Sequence, residues 1–410
     1  MTNLLLIEAN GNVGEDLLTA AVELGLTVHV ATHEDLYEKY RPELKSKIAG
    51  TVFTDFGDPV TALEDLLAFS RKVGVHGVVT GWEFFSPLVT QLAAELGLPG
   101  HDPARADACR NKRVMAEVFA EHGVPSPRTL VAADLEGARA AIADAGLGYP
   151  LVVKPCENAG SVGVSVVAAA EGLPRAVGFA QGWPNEFPHG TPLETTLVIQ
   201  EYVGGKEFSV ETVAFDRQFQ HLAVTEKFTT EDSSRAEVGH TVPAQLTDEQ
   251  RAVVIDTVEQ GLIALGFRYG VAHTELKLLP NHTAKIIEVG ARPPGDHIMK
   301  LVRNATGISE ARAYIQTSLG QVPDTTPTAK DASAIRFLTP PRAGVFRGIG
   351  NLPDSPAVVD QAVYIEPGKE LGHLQDNIAR IGHLIFKADS AAEVNRIADQ
   401  AVAAVTIEME

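Results

Sequence analysis

Two acidic residues, Glu275 and Glu288, lie in short apolar stretches that read as consecutive strands: His273-Thr274-Glu275-Leu276-Lys277 and Ile287-Glu288-Val289-Gly290-Ala291-Arg292. Side chains alternate faces along a strand, so Glu275 shares a face with His273 and Lys277, and Glu288 shares one with Gly290 and Arg292. If the strands Val271 to Leu279 and Ala284 to Val289 pair through Pro280-Asn281-His282, the two carboxylates converge. Converging carboxylates suit Mg²⁺, a hard cation that takes oxygen ligands and is commonly shared with substrate phosphates; Mn²⁺ is the alternative ion. Arg292 then stands beside the metal, able to hold a phosphoryl group or a carboxylate through two parallel hydrogen bonds. One histidine without a second His or Cys at ligand spacing reads as a hydrogen-bonded pocket residue, so His273 does not argue for zinc.

Two further stretches fit chemistry on a polyphosphate. Leu151-Val152-Val153-Lys154-Pro155 reads as a buried strand ending in lysine, and the small-residue loop Glu157 to Gly163 leads into a strand at Val164 to Ala168. A loop of this kind can lay backbone N–H groups on phosphates where larger side chains would block approach. Its bland alternative is a solvated hairpin. Gln200-Glu201-Tyr202-Val203-Gly204-Gly205-Lys206-Glu207 joins a strand end to a second strand through two glycines. A peptide N–H and C=O there can read the edge of adenine, and the carboxylate after the turn can accept ribose hydroxyls.

The elements that must position these groups can be followed along the chain. Leu4 to Glu8, a helical pattern from Glu15 to Leu24, Thr27 to Ala31 and Gly77 to Thr80 have the rhythm of a parallel α/β unit. Its first turn, Ala9-Asn10-Gly11-Asn12-Val13-Gly14, approaches a dinucleotide fingerprint, with Glu34 twenty residues beyond Gly14. Such a turn also serves simple close packing of helix on strand. Asp102-Pro103 reads as a helix start, with Val114, Met115, Val118 and Phe119 at helical spacing as far as Gly123. β-rich stretches follow at Leu151 to Ala168 and Leu197 to Val224, with a Gly/Pro-rich junction from Gly178 to Pro192 between them and a helix around Asp248 to Leu265 afterwards. The segment Phe187 to Pro192 reads as an insertion.

At 410 residues, with 45% hydrophobic and 21% charged content, the chain is long enough for two or three domains. A formal net charge of −19 repels nucleic acid and anionic lipid, and no run of eighteen apolar residues or signal-peptide core is present, so a cytoplasmic protein is expected. An acidic chain that binds polyphosphate must gather cations locally. Cys109 and Cys156 supply no disulfide framework.

The order of these motifs resembles the ATP-grasp superfamily, and within it the carboxylate-amine ligases that include the dipeptide-forming L-amino acid ligases. The resemblance implies an α/β fold with an N-terminal Rossmann-like pre-ATP-grasp domain (1–104), a small lid subdomain carrying the glycine-rich loop (105–195) and a catalytic domain (196–410). It implies that Lys112 and Lys154 bind nucleotide, and that the loop, with Ser161 and Gly163, covers the phosphates. Glu201 and Val203 correspond to the positions that hold adenine, Glu207 to the ribose acid, Glu275 and Glu288 to the metal acids, and Arg292 to the arginine at the acyl phosphate. Gly290 departs from the common Glu-x-Asn-x-Arg pattern, where Asn supplies a further metal oxygen.

The implied reaction uses ATP and Mg²⁺ to activate an amino acid carboxylate, α or side-chain γ, for attack by an amine, as in L-amino acid ligases of specialised metabolism. Small amino acids are the expected partners, with Glu83, His273, Arg292 and Asp296 as pocket groups; a homodimer is compatible with the reading. Closure is assigned to the glycine-rich loop and the polar stretch Thr229 to His240. Asp296, after Arg292-Pro293-Pro294-Gly295, is expected either to bind a substrate ammonium or to cap the following helix. Other ATP-grasp reactions, as in carboxylases or purine-pathway ligases, and an NAD-dependent oxidoreductase built on Gly11 and Gly14, are the alternatives.

Overall fold

The structure, a computed structural model, describes residues 2–230, 235–374 and 376–410. Strands β1 (Asn3–Ile7), β2 (Thr27–Thr32), β3 (Gly50–Phe53) and β4 (Val75–Thr80) form a parallel sheet in the order β3-β2-β1-β4. The apolar run of β1 reflects burial on both faces, as parallel sheets require. Leu4 and Leu6 enter one core with Val13 and Leu17 of helix Gly11–Glu23, whereas Leu5 and Ile7 enter another with Ala62, Leu66 and Leu92. A Cβ at Gly14 would lie 2.7 Å from the carbonyl carbon of Ala9, so this glycine lets the first helix close onto the strand end. Glu34 stands exposed at the start of the short helix Glu34–Glu38.

The long helix predicted from Asp102 onward begins later. Asp102 caps only a 3₁₀ turn at Pro103–Arg105, accepting from Ala104 N at 3.0 Å. The helix Lys112–His122 is capped instead by Asn111, whose Oδ1 accepts from the backbone N–H groups of Arg113 and Val114 at 3.0 and 3.2 Å. Lys112 is therefore the first helical residue.

Strands β5 (Thr129–Ala132), β6 (Leu151–Pro155), β7 (Ser165–Val167) and β8 (Leu197–Glu201) form an antiparallel sheet, β5-β8-β6-β7. Helices Leu135–Ala145 and Leu173–Ala180 cover it through Ala138, Ile142, Ala176 and Val177. The sequence assigned residues from 196 onward to the catalytic unit, yet β8 pairs with both β5 and β6. The sheet thus reaches past residue 195, because its buried centre needs the apolar run Leu197-Val198-Ile199.

Strands β9 (Lys206–Phe215), β10 (Gln218–Thr229), β11 (Glu237–Val242), β12 (Tyr269–Leu278), β13 (Ala284–Gly290) and β14 (Ala332–Leu338) continue the chain, followed by β15 (Gly344–Gly350), β16 (Val358–Val363), β17 (Glu370–Leu371), β18 (Gly382–Ala388) and β19 (Thr406–Met409). The large sheet runs β13-β12-β9-β10-β11-β14-β18-β16, and β17-β15-β19 form a separate one. Helix Asp248–Ala264, opened by a Thr247/Gln250 capping box, packs on one face together with Met115, Val118 and Phe119. Helices Ile298–Thr306 and Glu310–Ser318 pack on the other, sharing one core with Leu17, Leu18 and Val30 of the N-terminal unit. The parallel sheet is thereby fastened to the large sheet through this core. Among the described residues no helix is long and apolar enough to cross a membrane. Cys109 and Cys156 are free and buried, and burial pushes both thiols up to about 12, which leaves them protonated and inert.

Candidate active site

Strands β12 and β13 pair antiparallel with Glu275 directly opposite Glu288 and His273 opposite Gly290, so the hairpin expected from the sequence does bring the two acids together. Both line a cleft between the lid sheet and the large sheet, together with Lys112, Lys154, Glu207 and Arg292. Glu275 is held by Lys227 and His273, and its carboxyl lies well below the usual range: burial alone would raise it, but those two cations outweigh burial. His273 bridges Glu211 at 2.9 Å and Glu275 at 3.2 Å. Burial favours its neutral ring, yet the two acids push it up to about 10, so it is an imidazolium at neutral pH. It lines the cleft as a hydrogen-bonded residue.

The two lysines come from different elements. Lys112, at the start of its helix, makes an ion pair with Glu288 at 2.8 Å and donates to the Asn158 carbonyl at 2.6 Å. It thus joins Glu288 to the glycine-rich loop. Lys154, on β6, is buried, and burial pushes its ammonium down to about 8 against the pull of Glu288. Ser161, with φ of 62°, lines the cleft. Gly163 packs behind it instead: a Cβ there would lie 3.0 Å from Pro155 Cδ, and its φ of 79° suits glycine, so its contribution is the turn and not contact with the cleft.

At the other end Val152, Val164, Val166 and Ile287 provide apolar walls beside Glu201 and Val203. The Glu201 side chain turns away to Lys285 and accepts from Arg128 N at 3.1 Å. Val203 N–H donates to nothing among the described residues. Glu207 meets Lys277 at 3.4 Å.

Glu83 enters from the N-terminal unit, three residues beyond the carboxyl end of β4, in the 3₁₀ turn Glu83–Phe85. Its Oε2 accepts from Arg292 Nε, while Oε1 is buried without a hydrogen-bond partner among the described residues. Asp296 does not line the cleft. Its carboxylate is held by Arg380 at 2.6 and 2.8 Å and by His240 at 3.1 Å, and the Arg380 charge with these hydrogen bonds holds it well below the usual carboxylate range despite burial. Nor does it cap the helix Ile298–Thr306, whose N-cap is His297. Of the stretch Thr229 to His240, residues 231–234 lie outside the described residues, whereas Arg235 and Glu237 line the cleft.

Sequence reasoning did not single out Lys227, Glu211, Arg235, Glu237 and Asn377. Lys227 had a signal: a lysine in the apolar β10, buried between Glu237 and Glu275 and held charged far above its usual range because those acids outweigh burial. Asn377 had none, since it reaches the cleft from a turn more than eighty residues beyond Arg292. Where a dinucleotide would lie on the parallel sheet, His189 is inserted, 2.7 Å from Glu8 and 3.2 Å from Glu186.

A parallel N-terminal unit, an antiparallel lid and a large sheet bearing paired acids opposite two lysines define the ATP-grasp class. Family models for the ATP-grasp N-terminal domain, the ATP-grasp domain and the L-amino acid ligase C-terminal domain 2 match residues 18–100, 147–300 and 336–410. The chain belongs to the ATP-grasp ligases and resembles the L-amino acid ligases among them. The crystal structure of L-amino acid ligase from Bacillus licheniformis superposes with a TM-score of 0.82 at 22% identity, covering 100% of this chain and 99% of that one. Alanine–anticapsin ligase of Bacillus subtilis is 24% identical over 314 residues, 70% of this chain and 66% of that protein. Protein y4rH of Sinorhizobium fredii is 26% identical over 352 residues, 84% of this chain and 71% of that one. The chain thus spans about two thirds of the length of these curated relatives.

Proposed function

We propose that this chain is an ADP-forming ligase that joins an amino acid carboxylate to an amine, in particular that of another amino acid, through an acyl phosphate. The observation that carries the proposal is the in-register pair Glu275 and Glu288, facing a cleft that also receives Lys112, Lys154 and Arg292. The acids fit a hard divalent cation. They offer oxygen donors only; Lys227 and His273 keep Glu275 ionised, and Lys112 pairs with Glu288 at 2.8 Å. When bound there, Mg²⁺ would neutralise phosphate charge.

The remaining work falls to the chain's own groups. A substrate carboxylate oxygen forms a bond to the γ-phosphorus as the bond to the β-phosphate oxygen breaks, giving an acyl phosphate and ADP. Lys154 and Lys112 supply positive charge to the phosphate oxygens, and Arg292 a bidentate donor to the reacting carboxylate or phosphoryl group. The amine then attacks the acyl carbon, inorganic phosphate leaves, and the amine proton is lost. The glycine-rich loop and the lid sheet exclude water that would hydrolyse the intermediate. Glu83, with a buried unpartnered oxygen beside Arg292, supports recognition of a zwitterionic substrate. The lid and catalytic units divide in this reading near residue 201, where β8 ends. Activation of a side-chain γ-carboxylate in specialised metabolism is the finer form of the proposal.

The test is phosphate release from ATP and Mg²⁺ across a matrix of amino acid pairs, with mass spectrometry of the products. ADP, phosphate and a dehydrated amino acid adduct are expected. AMP and pyrophosphate as stoichiometric products would end the reading. Products made from glutamate or aspartate, sequenced by fragmentation, separate α from side-chain activation.

A further inference from the structure

A cleft that binds polyphosphate in a chain of net charge −19 needs positive charge that the protein has not already spent on its own acids. Most of the cleft cations already face an acid of the chain and must share their charge with a ligand. Lys112 is paired with Glu288 at 2.8 Å, Lys277 with Glu207 at 3.4 Å and Arg292 with Glu83, while His273 stands between Glu211 and Glu275. Lys154 and Arg235 are the cleft cations with no acid partner among the described residues. Lys154 already has a role at the phosphates. Arg235 has none.

Its neighbours place Arg235 at the reacting end of the cleft. Glu237, two residues on, is bound to Lys227, which also holds Glu275. Asn377 donates to Glu237 Oε2 at 2.7 Å, accepts from Glu237 N at 2.9 Å, and donates its own N–H to the Gly160 carbonyl at 3.4 Å. Arg235, Glu237 and Asn377 all line the cleft. The arginine therefore stands where the metal-side acids and the glycine-rich loop approach one another, away from the apolar walls beside Val203. A guanidinium without a carboxylate partner at such a place is free to hold an oxyanion through parallel N–H groups.

We infer that Arg235 is an anion-binding residue of the reaction, donating to an oxyanion at the reacting end: the terminal phosphoryl group of the nucleotide or the carboxylate of an amino acid substrate. The inference rests on the ligase reading above. It is tested with Arg235→Gln and Arg235→Lys by calorimetric binding of a non-hydrolysable ATP analogue and of ADP, both with Mg²⁺, and by the KM for each amino acid. For a phosphoryl contact, Arg235→Gln weakens the analogue by about tenfold to a hundredfold, the range for a hydrogen bond to a charged group, and leaves ADP binding unchanged. Arg235→Lys falls between, since a point charge replaces a fork. For a carboxylate contact, nucleotide binding is unchanged and the KM for one amino acid rises by a similar factor. Wild-type values throughout for both variants would overturn the inference. A wild-type chain that binds neither nucleotide would instead refute the ligase reading. Retained ADP binding in the variants shows that they are folded.

Discussion

The Glu83 carboxylate occupies the room that a side chain at position 290 would need: a Cβ on Gly290 would lie 3.2 Å from Glu83 Oε2. The acid comes from the N-terminal unit and pairs with Arg292, two residues beyond that glycine. The departure from Glu-x-Asn-x-Arg and the arrival of Glu83 are therefore two sides of one arrangement. Gly290→Asn, which restores the common pattern, is expected to push Glu83 off Arg292. The expected cost is about 1–3 kcal/mol of stability, as for overpacking, with a fall in turnover. Thermal unfolding and steady-state kinetics read the two effects, and a variant equal to wild type in both would show that the glycine is not making room for the acid.

Removing the charge of Glu288 tests the metal assignment. Glu288→Gln keeps the shape of the side chain but loses half of the paired acids and the partner of Lys112. The fold is expected to survive, because this carboxylate lies at the cleft wall. Turnover should fall by about two to three orders of magnitude, the usual consequence of deleting one electrostatic group at a reacting centre. A magnesium titration of activity provides the check; near-normal rates at ordinary magnesium would remove Glu288 from the metal site.

Lys154 gives a pH dependence of definite sign. Burial lowers its ammonium from 10.5 to about 8, so above that pH the free site loses a charge that phosphate needs. Nucleotide phosphates favour the ammonium, and binding at pH 8.5–9 should therefore take up protons, with affinity falling as pH rises. For folding the sign is opposite, since stability increases as pH rises from about 8 towards 10.5. Calorimetry in buffers of different ionisation enthalpy measures the uptake. Lys154→Ala should abolish it, and an identical uptake in that variant would assign the proton elsewhere.

The buried triad Glu8, His189 and Glu186 fastens the inserted segment to the N-terminal unit, and Trp82, beside Glu83, donates to Glu186 at 3.0 Å. Burial favours neutral His189, but the two acids raise it above 6.5; burial opposes the ionised Glu8, but His189 and Tyr40 lower it below 4.5. The histidine's contribution is full below 6.5 and is lost as pH rises through its raised folded value. The Glu8 contribution is full above 4.5 and is lost as pH falls through its lowered folded value. His189→Gln should cost about 3–5 kcal/mol, as when one partner of a buried pair is removed. Denaturant unfolding between pH 5 and 9 measures this, and the gap from wild type should narrow at the alkaline end. A pH-independent gap would mean that His189 acts by packing alone.

What the amino acid order determined by itself was local. Strand alternation put Glu275 with His273 and Glu288 with Arg292, and a short turn between two apolar strands was enough to pair them, as the ladder bears out. The parallel rhythm of the first hundred residues, the lysine near the end of β6 and the glycine loop were legible because each is a pattern among neighbours in sequence. The start of the helix at Lys112 was not, since Asp102 and Asn111 are both good caps and only the packing of Met115, Val118 and Phe119 on the large sheet selects between them. Other decisions needed the folded chain. Glu83 reaches Arg292 across 209 positions, Asn377 reaches Glu237 across 140, and His189 fills the crevice above Glu8 across 181. Asp296 carried a plausible role until Arg380, 84 residues away, proved to hold it. In each case the partner is set by which buried faces must stack, and burial of a charge then demands a counter-charge from whichever strand or turn the packing has brought near.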